Sequence, residues 1–223
     1  MSLIEANLQH VRGQIAAASL GDREAPTLVA VSKTRSVAEI RAALAHGQRD
    51  FGENYVQEGV EKVIALAGSG AIWHFIGPLQ SNKAKLVAEH FDWVHGLDRL
   101  KIADALSRHR QPGKPLNVCI QVNVSGESSK GGVTPEAALG LAESVAALPN
   151  LRLRGVMTII ENISDVAVQR DQFGRLRAVL LAILQAGIAV DTCSMGMSQD
   201  FITAIEEGST MVRIGSAIFG ARV

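Results

Sequence analysis

The sequence predicts an α/β fold: one (β/α)8 barrel of the TIM type with an extra N-terminal helix. Three observations carry this. Strand-like and helix-like stretches alternate along the 223 residues. The strand-like stretches number about eight, each next to a helix. No linker, low-complexity segment or internal repeat interrupts them. Strands alternating with helices imply βαβ units and a parallel sheet, and eight units in this length suit a closed barrel. An open doubly wound sheet is the alternative. A single domain over residues 1–223 is expected.

Each element has its own signal. Residues 2–19 place Leu3, Ile4, Leu8, Val11 and Ile15 mostly three or four apart, which is helical spacing. Ser2 followed by Glu5 reads as a capping box. Residues 27–32 read as a short buried strand. Residues 37–46 read as a helix with Ser36 as cap and Gly47 as stop. "DFGEN" (50–54) is the second strand, and a helix follows over 57–67. "AIWHFIG" (71–77) and "WVHGL" (93–97) are strands, each followed by a helix (82–90, 99–110). "LNVCIQVNV" (116–124) is the longest β-rich run. Thr134 and Pro135 open the helix 134–148 as cap and first residue. Strand 153–159, helix 166–187, strand 190–196 and the helix in "SQDFITAIEEG" come next. The run 210–220 holds the last strand.

Composition narrows the function. Lys plus Arg and Asp plus Glu both total 22, so the net charge is zero. That gives no electrostatic case for a nucleic-acid partner or an anionic membrane, and neither is expected. No stretch reaches the ~18 apolar residues of a membrane span, and the N-terminus lacks signal-peptide character. Cys119 and Cys193 sit in apolar runs without zinc-ligand spacing. A soluble cytoplasmic protein without a metal is expected.

Barrel chemistry resides at the C-terminal ends of strands. Here the first strand runs into Lys33. Burial favours a neutral amine, and a neutral amine attacks aldehydes to form Schiff bases. The same lysine could instead snorkel to solvent. After the last two strands, "SMGMSQDF" and "VRIGSAIFG" set glycine and serine in turns. Backbone N–H groups and hydroxyls there make an anion site, and barrel phosphate sites commonly form after strands seven and eight. An amine and a phosphate site at one barrel mouth suggest pyridoxal 5′-phosphate. Arg213 would then lie near the pyridine ring, where an arginine keeps the ring nitrogen unprotonated and weakens the electron sink. A structural ion pair is the other reading of Arg213.

"LVAVSKT", "FGENYVQE", "WHFIGPLQSNK", "QVNVSGESSKGG", "SMGMSQDF" and "STMVRIGSAIFG" closely resemble the pyridoxal phosphate homeostasis proteins, in order and over residues 28–220. The resemblance implies a barrel like the N-terminal domain of alanine racemase and a Schiff base on Lys33. It implies that Ser198, Gly215 and Ser216 hold the phosphate and that Arg213 faces the ring nitrogen. Asn54 would lie near the ring or its 3-hydroxyl, and Met157 and His74 would line the pocket. One departure is visible: "MTIIEN" lacks the proline that family members often carry just after strand six. The resemblance implies a carrier that serves vitamin B6 homeostasis, passes the cofactor to apo-enzymes that depend on it, and has no robust turnover of its own. A monomer is expected. The alternative is an amino-acid racemase. That chemistry needs a base on each face of the substrate carbanion, and the single tyrosine, Tyr55, has no partner domain here to position it. Lys130, in "GESSKGG", reads as a solvated loop lysine or as a second amine near the cofactor.

Overall fold

The computed structural model describes residues 2–19, 24–127, 130–161 and 163–221. Eight parallel strands close into a barrel in chain order, with β1 paired to both β2 and β8. They are β1 (Thr27–Val31), β2 (Asp50–Glu53), β3 (Ile72–Phe75), β4 (Trp93–Leu97), β5 (Leu116–Gln121), β6 (Leu151–Met157), β7 (Thr192–Ser194) and β8 (Met211–Ile214). The helices are α1 (Leu3–Ala18), α2 (Val37–Ala45), α3 (Val56–Ala65), α4 (Ala84–His90), α5 (Leu100–His109), α6 (Pro135–Ala146), α7 (Val166–Gln185), α8 (Phe201–Glu206) and α9 (Ser216–Phe219).

Local signals explain the helix ends. Ser2 with Glu5, and Ser36 with Glu39, form reciprocal capping boxes. Gly47 ends α2 at φ 78°, a left-handed conformation that favours glycine. Thr134 occupies the cap position of α6, yet its side chain makes no capping bond there. Several boundaries differ from the sequence reading by a few residues, β6 and β7 among them, and two of the differences lie at the mouth. The fifth strand stops at Gln121, because beyond it only Val122 pairs, in a single bridge to Val133. The last strand stops at Ile214, and Gly215 turns the chain into α9.

Strand alternation sorts the core into two regions. Outward residues such as Ala30, Phe51, Phe75, Val94, Val118 and Val212 pack beneath the helices in one large cluster. Inward residues Val29, Trp93, Cys119, Met157 and Met211 form a second cluster inside the barrel. The interior also holds polar groups: His74, His95, Ser194 and Arg213 are all buried. Both cysteines are buried and free. Burial pushes the Cys193 thiol up to about 12 and the Cys119 thiol higher still. No helix among the described residues is long and apolar enough to cross a membrane.

Candidate cofactor site at the barrel mouth

Lys33 lies two residues beyond β1, in the turn toward α2, and is half-buried. Its backbone is gripped on both sides. The Lys62 ammonium, buried on α3, donates to the Ser32 carbonyl at 2.6 Å, to Glu53 Oε1 at 2.8 Å and to Glu58 Oε1 at 2.6 Å. Glu58 Oε1 also accepts from the Thr34 N–H at 2.6 Å. The Ser32 hydroxyl donates to Glu53 at 2.6 Å. Burial raises the Glu53 carboxyl, while the bonds from Lys62 and Ser32 oppose that rise. Thr34 sits at φ 64°, an unusual conformation for a β-branched residue. The Glu58 bond holds the chain in it.

The turn opens on a cavity of about 220 Å³, whose lining includes Lys33, Asn54, Ser198, Arg213, Gly215 and Ser216. Val31, Arg35, Ile76, Ile159, Met197 and Gly220 complete the described wall. Ser198 and Ser216 come from the loops after β7 and β8, and their hydroxyls meet at 3.2 Å. Gly215 lies so close to Val31 that an added Cβ would stand 3.1 Å from the Val31 carbonyl. In the turn before Ser198, Gly196 has φ 96°, and a Cβ there would meet Ala204 at 2.7 Å. Glycine is required at that point on both counts.

Arg213 projects inward from β8 and is 4% exposed. It donates to Ser194 Oγ at 2.6 Å and to the Thr158 carbonyl at 2.7 Å, so it bonds a hydroxyl and a carbonyl rather than a carboxylate. Burial pulls its guanidinium down to about 10, still cationic at neutral pH. Asn54 carries a buried Oδ1 with no hydrogen-bond partner. Such an orphan at a cavity wall is what a bound polar ligand would satisfy. An amine, a cation, an unsatisfied amide oxygen and paired hydroxyls thus surround one space. These groups fit pyridoxal 5′-phosphate, whose aldehyde, ring polar atoms and phosphate call for them. Among the described residues, no cluster of three His, Cys, Asp or Glu could hold a metal ion.

The family described as "Alanine racemase, N-terminal domain" matches residues 2–223. The pyridoxal phosphate homeostasis protein of Pseudomonas aeruginosa is 54% identical, over 100% of this chain and 97% of its own. That of Escherichia coli K12 is 51% identical, over 100% and 98%. The chain belongs to the pyridoxal phosphate homeostasis protein family. Among solved structures, PipY of Synechococcus elongatus with pyridoxal phosphate bound superposes with a TM-score of 0.86 at 33% identity, over 97% of this chain and all of that one. Alanine racemase of Corynebacterium glutamicum superposes with a TM-score of 0.73 at 20% identity, and this chain spans 61% of it. That likeness is one of fold.

Of the eight residues expected from the family resemblance, six line the cavity: Lys33, Asn54, Ser198, Arg213, Gly215 and Ser216. The structure does not bring Met157 and His74 to its wall. Met157 is fully buried in the apolar interior cluster. His74 is fully buried lower in the barrel, bonded to Asp50 and His95. Met157 closes β6 and His74 is the third residue of β3, and both turn into the barrel interior rather than to the cavity wall. Lys130 is half-buried and donates to the Ile160 carbonyl at 3.2 Å, which ties its loop to the loop after β6. The neighbouring Ser128 and Ser129, and Asn162 in the loop that lacks the family proline, lie outside the described residues.

Sequence reading missed the Lys62, Glu58 and Glu53 clamp. Glu58 and Lys62 are four apart, which reads as a solvated surface pair. The contrary signal is that Val56, Gly59 and Lys62 share one helix face, the face that α3 buries. An added Cβ at Gly59 would meet the Phe91 ring at 2.6 Å, so α3 packs too closely there for a larger residue.

Proposed function

We propose that this protein holds pyridoxal 5′-phosphate at the barrel mouth as a Schiff base on Lys33 and serves intracellular vitamin B6 homeostasis, releasing the cofactor to apo-enzymes without robust turnover of its own. The observation that carries this is the convergence of Lys33, Asn54, Arg213, Ser198 and Ser216 on one cavity. The Lys33 amine adds to the aldehyde carbon, water leaves, and a C=N bond replaces the C=O bond. The Ser198 and Ser216 hydroxyls and the backbone at Gly215 take the phosphate. Arg213 takes the ring nitrogen and, as a permanent donor, leaves it no proton. Asn54 takes a ring substituent. The bound group supplies a reactive aldehyde and a π-system.

Two features support a carrier over a racemase. Racemisation needs a proton donor or acceptor on each face of the reacting carbon, and among the described lining residues Lys33 is the one side chain suited to that work. Tyr55 is 57% exposed and outside the lining. An unprotonated ring also stabilises a carbanion poorly. A monomer suffices, because one chain provides the whole described lining. Free buried cysteines suit a reducing compartment, and we place the protein in the cytoplasm.

The test is to load the purified protein, trap the imine with borohydride and map the adduct. A long-wavelength absorbance and an adduct on Lys33 are expected. An adduct confined to another lysine would overturn the assignment. Faster activation of apo-enzymes by loaded protein than by free cofactor would support delivery, and a strictly slower rate would oppose it.

A further inference from the structure

We propose that Asp50, at the opposite end of the barrel from the mouth, is a positioning residue for Arg213 and acts through a one-way hydrogen-bond chain along His74, His95 and Ser194. The inference rests on the reading of Arg213 as a cofactor ligand. The contacts are continuous. Arg213 Nη1 lies 2.6 Å from Ser194 Oγ, and Ser194 Oγ lies 2.9 Å from His95 Nδ1. His95 Nε2 lies 3.0 Å from His74 Nδ1, and His74 Nε2 lies 3.0 Å from Asp50 Oδ1. His74, His95 and Ser194 are fully buried. Asp50 opens β2, with its side chain 22% exposed.

The two ends set the direction. A guanidinium only donates, and a carboxylate only accepts. Ser194 Oγ receives Arg213, so its own proton goes to His95 Nδ1. His95 then donates from Nε2 to His74 Nδ1, and His74 donates from Nε2 to Asp50. Every proton along the buried path has an acceptor. In the reverse arrangement His95 Nδ1 and Arg213 would both donate to Ser194. The Ser194 proton would then have no acceptor among the chain's contacts, and buried donors are rarely left so. Burial pulls His95 well below the usual histidine range, and the positive field of Arg213 acts the same way. His95 is therefore neutral, as the chain requires. Without Asp50 nothing fixes the tautomers, and His95 Nδ1 is free to carry the proton and donate to Ser194, which leaves the Ser194 proton without an acceptor beside Arg213.

The experiment reads the histidine ring nitrogens by long-range proton–nitrogen NMR, on the full chain without cofactor. In the wild type, His74 and His95 should both be neutral with the proton on Nε2. In Asp50→Ala, His95 should become a tautomer mixture or shift its proton to Nδ1, and pyridoxal phosphate should bind roughly tenfold more weakly, as for loss of other outer partners. A purely structural role would lower stability and leave the tautomers alone. A wild-type His95 protonated on Nδ1, or an unchanged His95 in Asp50→Ala, would overturn the proposal, as would unchanged affinity despite a tautomer shift. Asp50→Leu, which fills the space without an acceptor, serves if Asp50→Ala does not fold. If the wild type binds no cofactor, the cofactor reading fails, while the imidazole spectra still decide the chain.

Discussion

The proposed site divides the work of binding between a covalent contact at Lys33 and an ionic contact at Ser198 and Ser216. Lys33→Ala should remove the visible absorbance and the borohydride adduct, while phosphate contacts retain some residual binding. Absorbance spectra with adduct mapping check this. Ser198→Ala or Ser216→Ala should weaken pyridoxal phosphate roughly ten- to hundredfold, since a bond to a charged group contributes about 1.5–3 kcal/mol. Pyridoxal, which has no phosphate, should lose far less. Parallel titrations with both ligands decide it, and equal losses would refute the phosphate assignment. At this scale the sequence was informative where barrel geometry dictates position. Lys33 and the Gly-Ser turns follow strands, Arg213 sits near the end of one, and strand ends meet at the mouth. It was silent on depth. His74 and Arg213 both point inward, yet only Arg213 is high enough to line the cavity, and that height depends on strand stagger rather than on residue type.

Helix α3 is the element that holds the turn carrying Lys33. Its Lys62 is 6% exposed at the side chain and faces Glu53 at 0%. Removing one member of such a buried pair leaves an uncompensated charge and typically costs about 3–5 kcal/mol. Lys62→Met should therefore lower the melting temperature markedly. The double variant Lys62→Met, Glu53→Gln should recover part of the loss, because no buried carboxylate is then stranded. Thermal melts of the three proteins test this, and strict additivity would show the pair to be uncoupled. The loss in Lys62→Met should shrink on acidification, since a protonated Glu53 carries no charge to compensate. Helix and strand placement was legible because capping boxes and period are local. The inward turn of Lys62 was not, because Gly59 admits Phe91 only in three dimensions.

Over the whole molecule, the polar barrel interior links stability to pH. The folded protein holds His95 below its usual value of 6.5, so the unfolded chain takes up a proton that the folded one refuses. Stability then falls as pH drops below about 6.5, by at most about 1.4 kcal/mol per pH unit for this group. Denaturant titrations between pH 7 and pH 5 should show that slope, and His95→Gln should flatten it. The loaded protein should also show no racemisation of alanine or serine above trace level, because losing one positioned acid–base group typically costs roughly 10²–10⁴-fold. Incubation in deuterated water with chiral analysis measures this. D-enantiomer formed at roughly 1 s⁻¹, an ordinary enzymatic rate, would make the protein an enzyme. The closed barrel was legible from the alternation of elements, since parallel strands joined by helices have few ways to bury both faces.

The pairing of β1 with β8 has a consequence for how the protein comes into being. Lys33 leaves the ribosome long before Gly215 and Ser216 do. A growing chain therefore exposes its amine long before it can grip a phosphate. Full affinity arrives only when the final strand zips against the first. A cofactor held by both ends, as proposed, would act as a clasp across that seam and stabilise closure by mass action. Slower amide exchange along β1 and β8 on loading, with little change at β4 and β5, would be the trace of that clasp.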